Sequence, residues 1–182
     1  MTTVDAAALP ALLNAYRSAE LHGALLMGKL ARRVDDPLLK LFLTHHFADE
    51  ARHAWLWTEV LAAMGEPVVE APDAYQQAYS REAGLPTDLI DLMATTLVLE
   101  RRSLATYQEH LALPNTPALV RETLERIAGE EVFHLTWLEE RLEAVRQEGQ
   151  AARVDAALAR YTAVDERAFA VASAPFVGAS RR

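Results

Sequence analysis

The chain of 182 residues has no cysteine. That absence excludes disulfides, thiolate zinc sites, thiol nucleophiles and cysteine-ligated iron–sulfur or rubredoxin centres. Any bound metal must therefore be held by oxygen and imidazole nitrogen. Basic charge is scarce too: 18 Lys and Arg stand against 26 Asp and Glu, a net charge of −8. A chain of that sign is not drawn to nucleic acid or an anionic membrane unless basic residues cluster locally. The only clusters, Arg32-Arg33, Arg101-Arg102 and Arg181-Arg182, are short and read as solvated helix faces and a tail end. No uncharged apolar run reaches the roughly 18 residues of a membrane span. The opening "MTTVDAAALP" carries Asp5 and no basic segment followed by an apolar run, so no secretory signal is expected and the cytoplasm is the expected compartment.

Strand signals are also weak, because β-branched residues are scattered and period-two alternation is not sustained, while Ala, Leu, Glu and Arg dominate. The composition, 51% hydrophobic with mean hydropathy near zero, fits one domain over 1–182 with a full core. The periodicity predicts an all-α chain. Leu9, Leu12, Leu13, Tyr16, Glu20, Ala24, Met27 and Leu30 repeat at three and four, which predicts a first helix over about 7–33. "VDDP" breaks it, with Asp36 as cap and Pro37 in the next first turn. A second helix runs to about Met64 with Leu39, Phe42, Leu43, His46, Glu50, His53, Trp57, Val60 and Leu61 inward, and Gly65 and Pro67 close it. The segment 65–86, with Pro67, Pro72, Gly84 and Pro86, reads as a crossover in which "DAYQQAYSREA" can form a short helix. Met93, Thr96, Leu97, Glu100, Leu104, Tyr107 and Leu111 mark a third long helix to Leu111. Leu124, Ile127, Glu131, His134, Leu138 and Leu142 mark a fourth over about 118–147. A shorter Ala-rich helix over about 151–171 and a loose tail follow. Two short-loop helix pairs joined by one long crossover are what a four-helix bundle of ferritin-like connectivity requires, its core over about 7–147.

The two halves match in their polar residues. Glu20 and Glu50 are 30 positions apart, Glu100 and Glu131 31 apart, and each later Glu is followed three residues on by a histidine, His53 or His134. On a helix, positions i and i+3 share a side, so each Glu-x-x-His pair can aim an oxygen and a nitrogen at one place. A single pair is a weak signal. Two pairs, both in the second helix of a half and both facing a Glu in the middle of a first-helix apolar stripe, point to a dimetal site. The alternative is a buried polar network or a solvated seam. Four converging carboxylates would repel one another and lose hydration, a conflict that two divalent ions remove. Mixed carboxylate and imidazole donors with open positions suit iron, with manganese the alternative, better than a closed structural zinc site.

At these residues the sequence resembles the ferritin-like carboxylate-bridged di-iron superfamily, through "DEARHAW", "LVLERRS" and "EEVFHLTW" together with Glu20. The resemblance implies Glu20 and His53 on one iron, Glu100 and His134 on the other, and Glu50 and Glu131 bridging. It further implies that Asp49 and Glu130 orient the imidazoles from outside the ligand set; the bland reading of either acid is a solvated charge. Ser103 replaces the additional acid of rubrerythrins, and Ala51 replaces the haem-binding Met of bacterioferritins, so haem is not expected. The implied activity is a non-haem di-iron oxidoreductase that activates O2 or peroxide with an unidentified electron donor, with Glu50, Glu131 and Tyr107 at the chemistry and hydroxylation of a small organic substrate an open extension. The tRNA hydroxylase and aldehyde-deformylating branches are similar oxygenases; the acidic balance argues against tRNA. A ferroxidase or iron-handling protein is the alternative, and a metal-free helical partner-binding bundle a third. A homo-oligomer is expected, a dimer favoured. His46 reads as a core histidine rather than a third ligand. Tyr16 and Tyr107 can hydrogen-bond the site or relay an electron, although core packing is the plainer role. Trp55, Trp57 and Trp137 read as packing residues. His22, His45 and His110 are expected to face solvent or neighbouring helices.

Overall fold

The computed structural model describes residues 5–70 and 74–177, and among these residues all regular structure is helical. The helices are α1 (Leu9–Ala31), α2 (Pro37–Ala63), α3 (Ala74–Ala83), α4 (Leu89–Leu111), α5 (Ala118–Val145) and α6 (Ala151–Val177). None is long and apolar enough to cross a membrane. The described residues fall into two compact units, one from residues up to 73 with 108–130, the other from 74–107 with 131 onward.

In the first unit, punctuation residues set the helix ends. Asp36 accepts a hydrogen bond from the Leu39 N–H at 2.9 Å, with Pro37 in the first turn. At the far end of α2, Gly65 takes φ +74°, and the N–H groups of Gly65 and Glu66 donate to the carbonyls of Ala62 and Leu61. This double closure needs a left-handed residue, which glycine adopts without a Cβ clash. Arg121 donates to the carbonyls of Leu111 and Leu113, satisfying acceptors that the end of α4 leaves open. Helices α1 and α2 pack antiparallel: Arg17 bonds Thr58, Glu20 meets His53, and Gly28 lies under Phe47, so partner numbers fall along α2 as they rise along α1. Leu13, Trp57, Leu61, Val120, Leu124 and Ile127 are fully buried in this unit. Buried Asn14 ties the following segment down, donating to the Pro67 carbonyl and accepting from the Val69 N–H.

In the second unit, the short helix of the crossover is a packing element. Tyr79 on α3 hydrogen-bonds Thr95 on α4 at 2.7 Å, Tyr75 donates to Asp165 on α6, and Arg160 caps the Ala83 carbonyl. Arg153 on α6 pairs with Asp88 and Asp91 at the start of α4. Covered in this way, α4 is buried on every side from Ile90 to Val98 rather than along one stripe. The final helix is not short. It has 27 residues, as many as α2, because its Ala-rich sequence has no Gly or Pro to stop it between Ala151 and Ala174. Gly149, at φ +91°, makes the break before it. Arg102 is not a solvated charge either: its guanidinium holds Asp165 with two hydrogen bonds and lies 4.0 Å over the Phe169 ring. The expected tail pair Arg181-Arg182 lies outside the described residues.

Candidate metal centre

In the first unit, Glu20 on α1 and Glu50 and His53 on α2 each offer a donor atom within 4.8 Å of the others. They share one layer because the antiparallel pairing of α1 and α2 sets residue 20 opposite residues 50 to 53. All three are buried, His53 completely. The imidazole Nδ1 lies 3.5 Å from Glu20 Oε2 and 4.0 Å from Glu50 Oε1. Its other nitrogen, Nε2, is 2.7 Å from Glu130 Oε2 on α5.

The charge state of Glu130 settles the role of the outer nitrogen of His53. Partial burial works to raise this carboxyl, but hydrogen bonds from Arg52 and from His53 outweigh it and hold the group below the usual carboxylate range. Both Glu130 oxygens accept from Arg52 Nη1, at 2.7 and 2.8 Å. An ionised carboxylate only accepts, so Nε2 carries a hydrogen and donates it to Glu130. The other nitrogen, Nδ1, faces the Glu20 and Glu50 carboxylates, so an imidazole nitrogen and two carboxylates that could ligate a divalent cation meet in one buried layer.

Close approach is built in at Gly23. A Cβ there would stand 2.3 Å from Glu50 Oε2, so Glu50 occupies space that any side chain at this position would take. His46, fully buried one turn before Glu50, has Nε2 3.3 Å from Glu50 Oε1 and its ring edge-on to Phe42. It is buried in the core, and it also offers a donor atom within 4.8 Å of one from Glu50, so burial alone does not separate a core histidine from a further ligand here.

In the second unit, Glu100 on α4 and Glu131 and His134 on α5 are buried, His134 completely. His134 Nδ1 is 2.9 Å from Glu131 Oε2, and Glu100 and His134 offer donor atoms within 4.8 Å of each other. Tyr107 is buried two turns after Glu100 on the same helix.

The two outer acids divide their roles in a way the sequence does not reveal. Glu130 orients His53. Asp49 makes an ion pair with Arg52 at 2.5 Å and lies 3.1 Å from Nδ1 of exposed His45, so neither acid is a merely solvated charge. Arg52 and Gly23 are the site residues that sequence reasoning missed. The available signal for Gly23 was an isolated glycine inside a helix three residues after an inward Glu, a position that costs helix stability without a packing reason. Arg52 looked like an ordinary surface charge; only the fold brings Glu130 to it. Among the remaining candidates, Trp57 is fully buried and Trp137 half-buried, but Trp55 is 59% exposed and packs little. His22 is exposed and bonds the Ser18 carbonyl, whereas His110 is buried.

With oxygen and imidazole donors only, both sets fit iron or manganese. No protein-family model, curated protein or solved structure matches the chain.

Proposed function

We propose that the chain is a non-haem di-iron oxidoreductase of ferritin-like type. In this reading α1, α2, α4 and α5 are the bundle helices, and Glu20, Glu50, His53, Glu100, Glu131 and His134 hold two iron or manganese ions. What carries the reading is His53: a buried imidazole whose Nε2 is held by ionised Glu130 and whose Nδ1 faces two buried carboxylates. A carboxylate accepting from the outer nitrogen of an imidazole whose inner nitrogen faces other acids is the support that histidine metal ligands usually have.

Two such ions, when bound, supply electrons for reduction of O2 or peroxide. The chain's own part is to hold carboxylates ready with little hydration, orient the imidazole and keep bulk water out. Gly23 leaves the Glu50 carboxylate the space it occupies, which a Cβ at that position would take, so Glu50 could reach a bound ion from α2. A cytoplasmic location, a homodimer, an external reductant and a small organic substrate belong to the same proposal.

The test is oxidation of added Fe(II) by air, followed optically. The wild-type chain should accelerate it and Glu50→Ala should not; equal rates in the two would reject the reading. Native mass measurement separates the iron-handling alternative, since a 24-subunit shell favours storage and a dimer favours an enzyme.

A further inference from the structure

Three rings of the first unit belong to neither donor set and yet are buried together beside one. Tyr16 lies one turn before Glu20 on α1, and Trp57 one turn after His53 on α2; their ring centroids are 5.3 Å apart. The Tyr16 hydroxyl is 3.2 Å from Nδ1 of His110. Relative exposures are 7% for Tyr16, 0% for Trp57 and 3% for His110, so bulk water is not the phenol's partner. His110 is fixed in place, its backbone carbonyl accepting from the Thr116 hydroxyl at 3.0 Å.

The protonation of the pair follows from its surroundings. Burial first, and the Arg121 charge second, hold the His110 imidazole below its ordinary range, so it is neutral at pH 7. Burial, assisted by Glu109, pushes the Tyr16 phenol above its ordinary range, so it keeps its proton. The phenol O–H therefore donates to Nδ1, and the imidazole hydrogen sits on Nε2, which has no hydrogen-bond partner among the described residues. A buried phenol aimed at a neutral base, with the base's other face left unsatisfied, contributes little to stability for its cost.

We propose that Tyr16 and His110 form a redox-active phenol–imidazole pair that gives one electron to an oxygen-derived one-electron oxidant in the protein interior. The electron leaves the Tyr16 ring and reduces the oxidant by one. The phenol O–H bond breaks, the proton moves along the existing hydrogen bond, and an Nδ1–H bond forms. The products are a neutral phenoxyl radical and an imidazolium. A phenol cation radical is a far stronger acid than imidazolium, so the proton moves although burial and Arg121 disfavour the charged ring. The same disfavour returns the proton when a one-electron reductant of the thiol or ascorbate class restores the phenol. Trp57 extends the oxidisable surface along α2 in contact with Tyr16. The inference stands on this geometry and does not require the dimetal reading.

The test uses the full chain after chelator treatment, so that its outcome is separate from metal binding. Photogenerated tris(bipyridine)ruthenium(III) is the oxidant, and electron paramagnetic resonance with ring-deuterated tyrosine identifies the radical. A neutral tyrosyl signal is expected, and Tyr16→Phe should remove it. His110→Gln keeps an acceptor oxygen but no base, and should slow radical formation by about tenfold, the worth of one charge-assisted hydrogen bond. Between about pH 7 and 9 the wild-type rate should not change, because a neutral imidazole, not solvent, takes the proton. An unchanged signal in Tyr16→Phe, an unchanged rate in a His110→Gln chain of native helical content, or a wild-type rate that climbs with pH would each overturn the proposal.

Discussion

The two halves of the chain carry the same three donor residue types in the same order, Glu, Glu and His, and differ in almost everything around them. Four residues before its later Glu, the first half has His46 and the second Ile127; three after its earlier Glu, the first has Gly23 and the second Ser103. Tyr16 and Trp57 of the first half correspond to Thr96 and Leu138 of the second. The repeat therefore keeps the groups proposed to meet a cation and lets their surroundings diverge. In the first unit the surroundings are polar and oxidisable, with a histidine held at both nitrogens; in the second, His134 turns Nδ1 to Glu131 on its own helix. Under the proposed dimetal reading, equal ligands with unequal support predict two metal positions of different affinity.

The largest expected effect comes from the donors themselves. Glu50→Ala and Glu131→Ala should each lower Fe(II) or Co(II) affinity by more than the ~10–100-fold typical of residues outside the ligand set. Isothermal titration in the absence of oxygen reads this, and a Glu131→Ala chain binding as wild type would confine the site to the first half. Next in size is Glu130→Gln. It removes the anion that orients His53 and should cost about 10–100-fold at one of two metal positions, leaving the other intact. Uniform weakening of both would contradict the separate support of the halves. Gly23→Ala sharpens the same contrast. Its Cβ would press on Glu50 Oε2, so affinity at the first-half position should fall by roughly tenfold, while Ser103→Ala should leave binding unchanged.

Acid should weaken the first unit through two groups of the same sign. Glu130 is held low by Arg52 and His53 against the upward push of partial burial, and His110 is held low by burial and Arg121. Each has a folded value below its unfolded one, so its stabilising contribution is complete above the unfolded value and is lost as pH falls towards the folded one. Thermal stability should therefore drop first as pH falls through the ordinary imidazole value of about 6.5 and again below about 4.5. His110→Gln should abolish the first step and Glu130→Gln should shrink the second. The smallest expected effect is local: Asp36→Ala should cost about 1 kcal/mol by removing the cap of α2, visible as a shift in the denaturant midpoint.

Local signals in the sequence explain why so much of the helix pattern was legible. Asp36-Pro37, Gly65 and Gly149 act within a turn of themselves, and the stripe from Leu39 to Leu61 is buried at every expected position. Buried Glu and His residues announced themselves by interrupting such stripes. Long-range pairings were not legible. Arg52 meets Glu130 across 78 positions, and Arg102 meets Asp165 across 63. Nothing near Arg102 predicts that an acid on α6 will neutralise it. The full burial of the first turns of α4 was hidden for the same reason, since it depends on α3 and α6 covering faces that periodicity alone leaves open to water.

The central claim is that six buried donors hold a pair of metal ions. Anaerobic Fe(II) titration of chelator-treated chain, followed by desalting and element-resolved metal analysis, tests it directly. The account requires saturation at two ions per chain, falling in Glu50→Ala, with an optical change on exposure to air. A chain that retains no iron after desalting, while its helical content is intact, would contradict it.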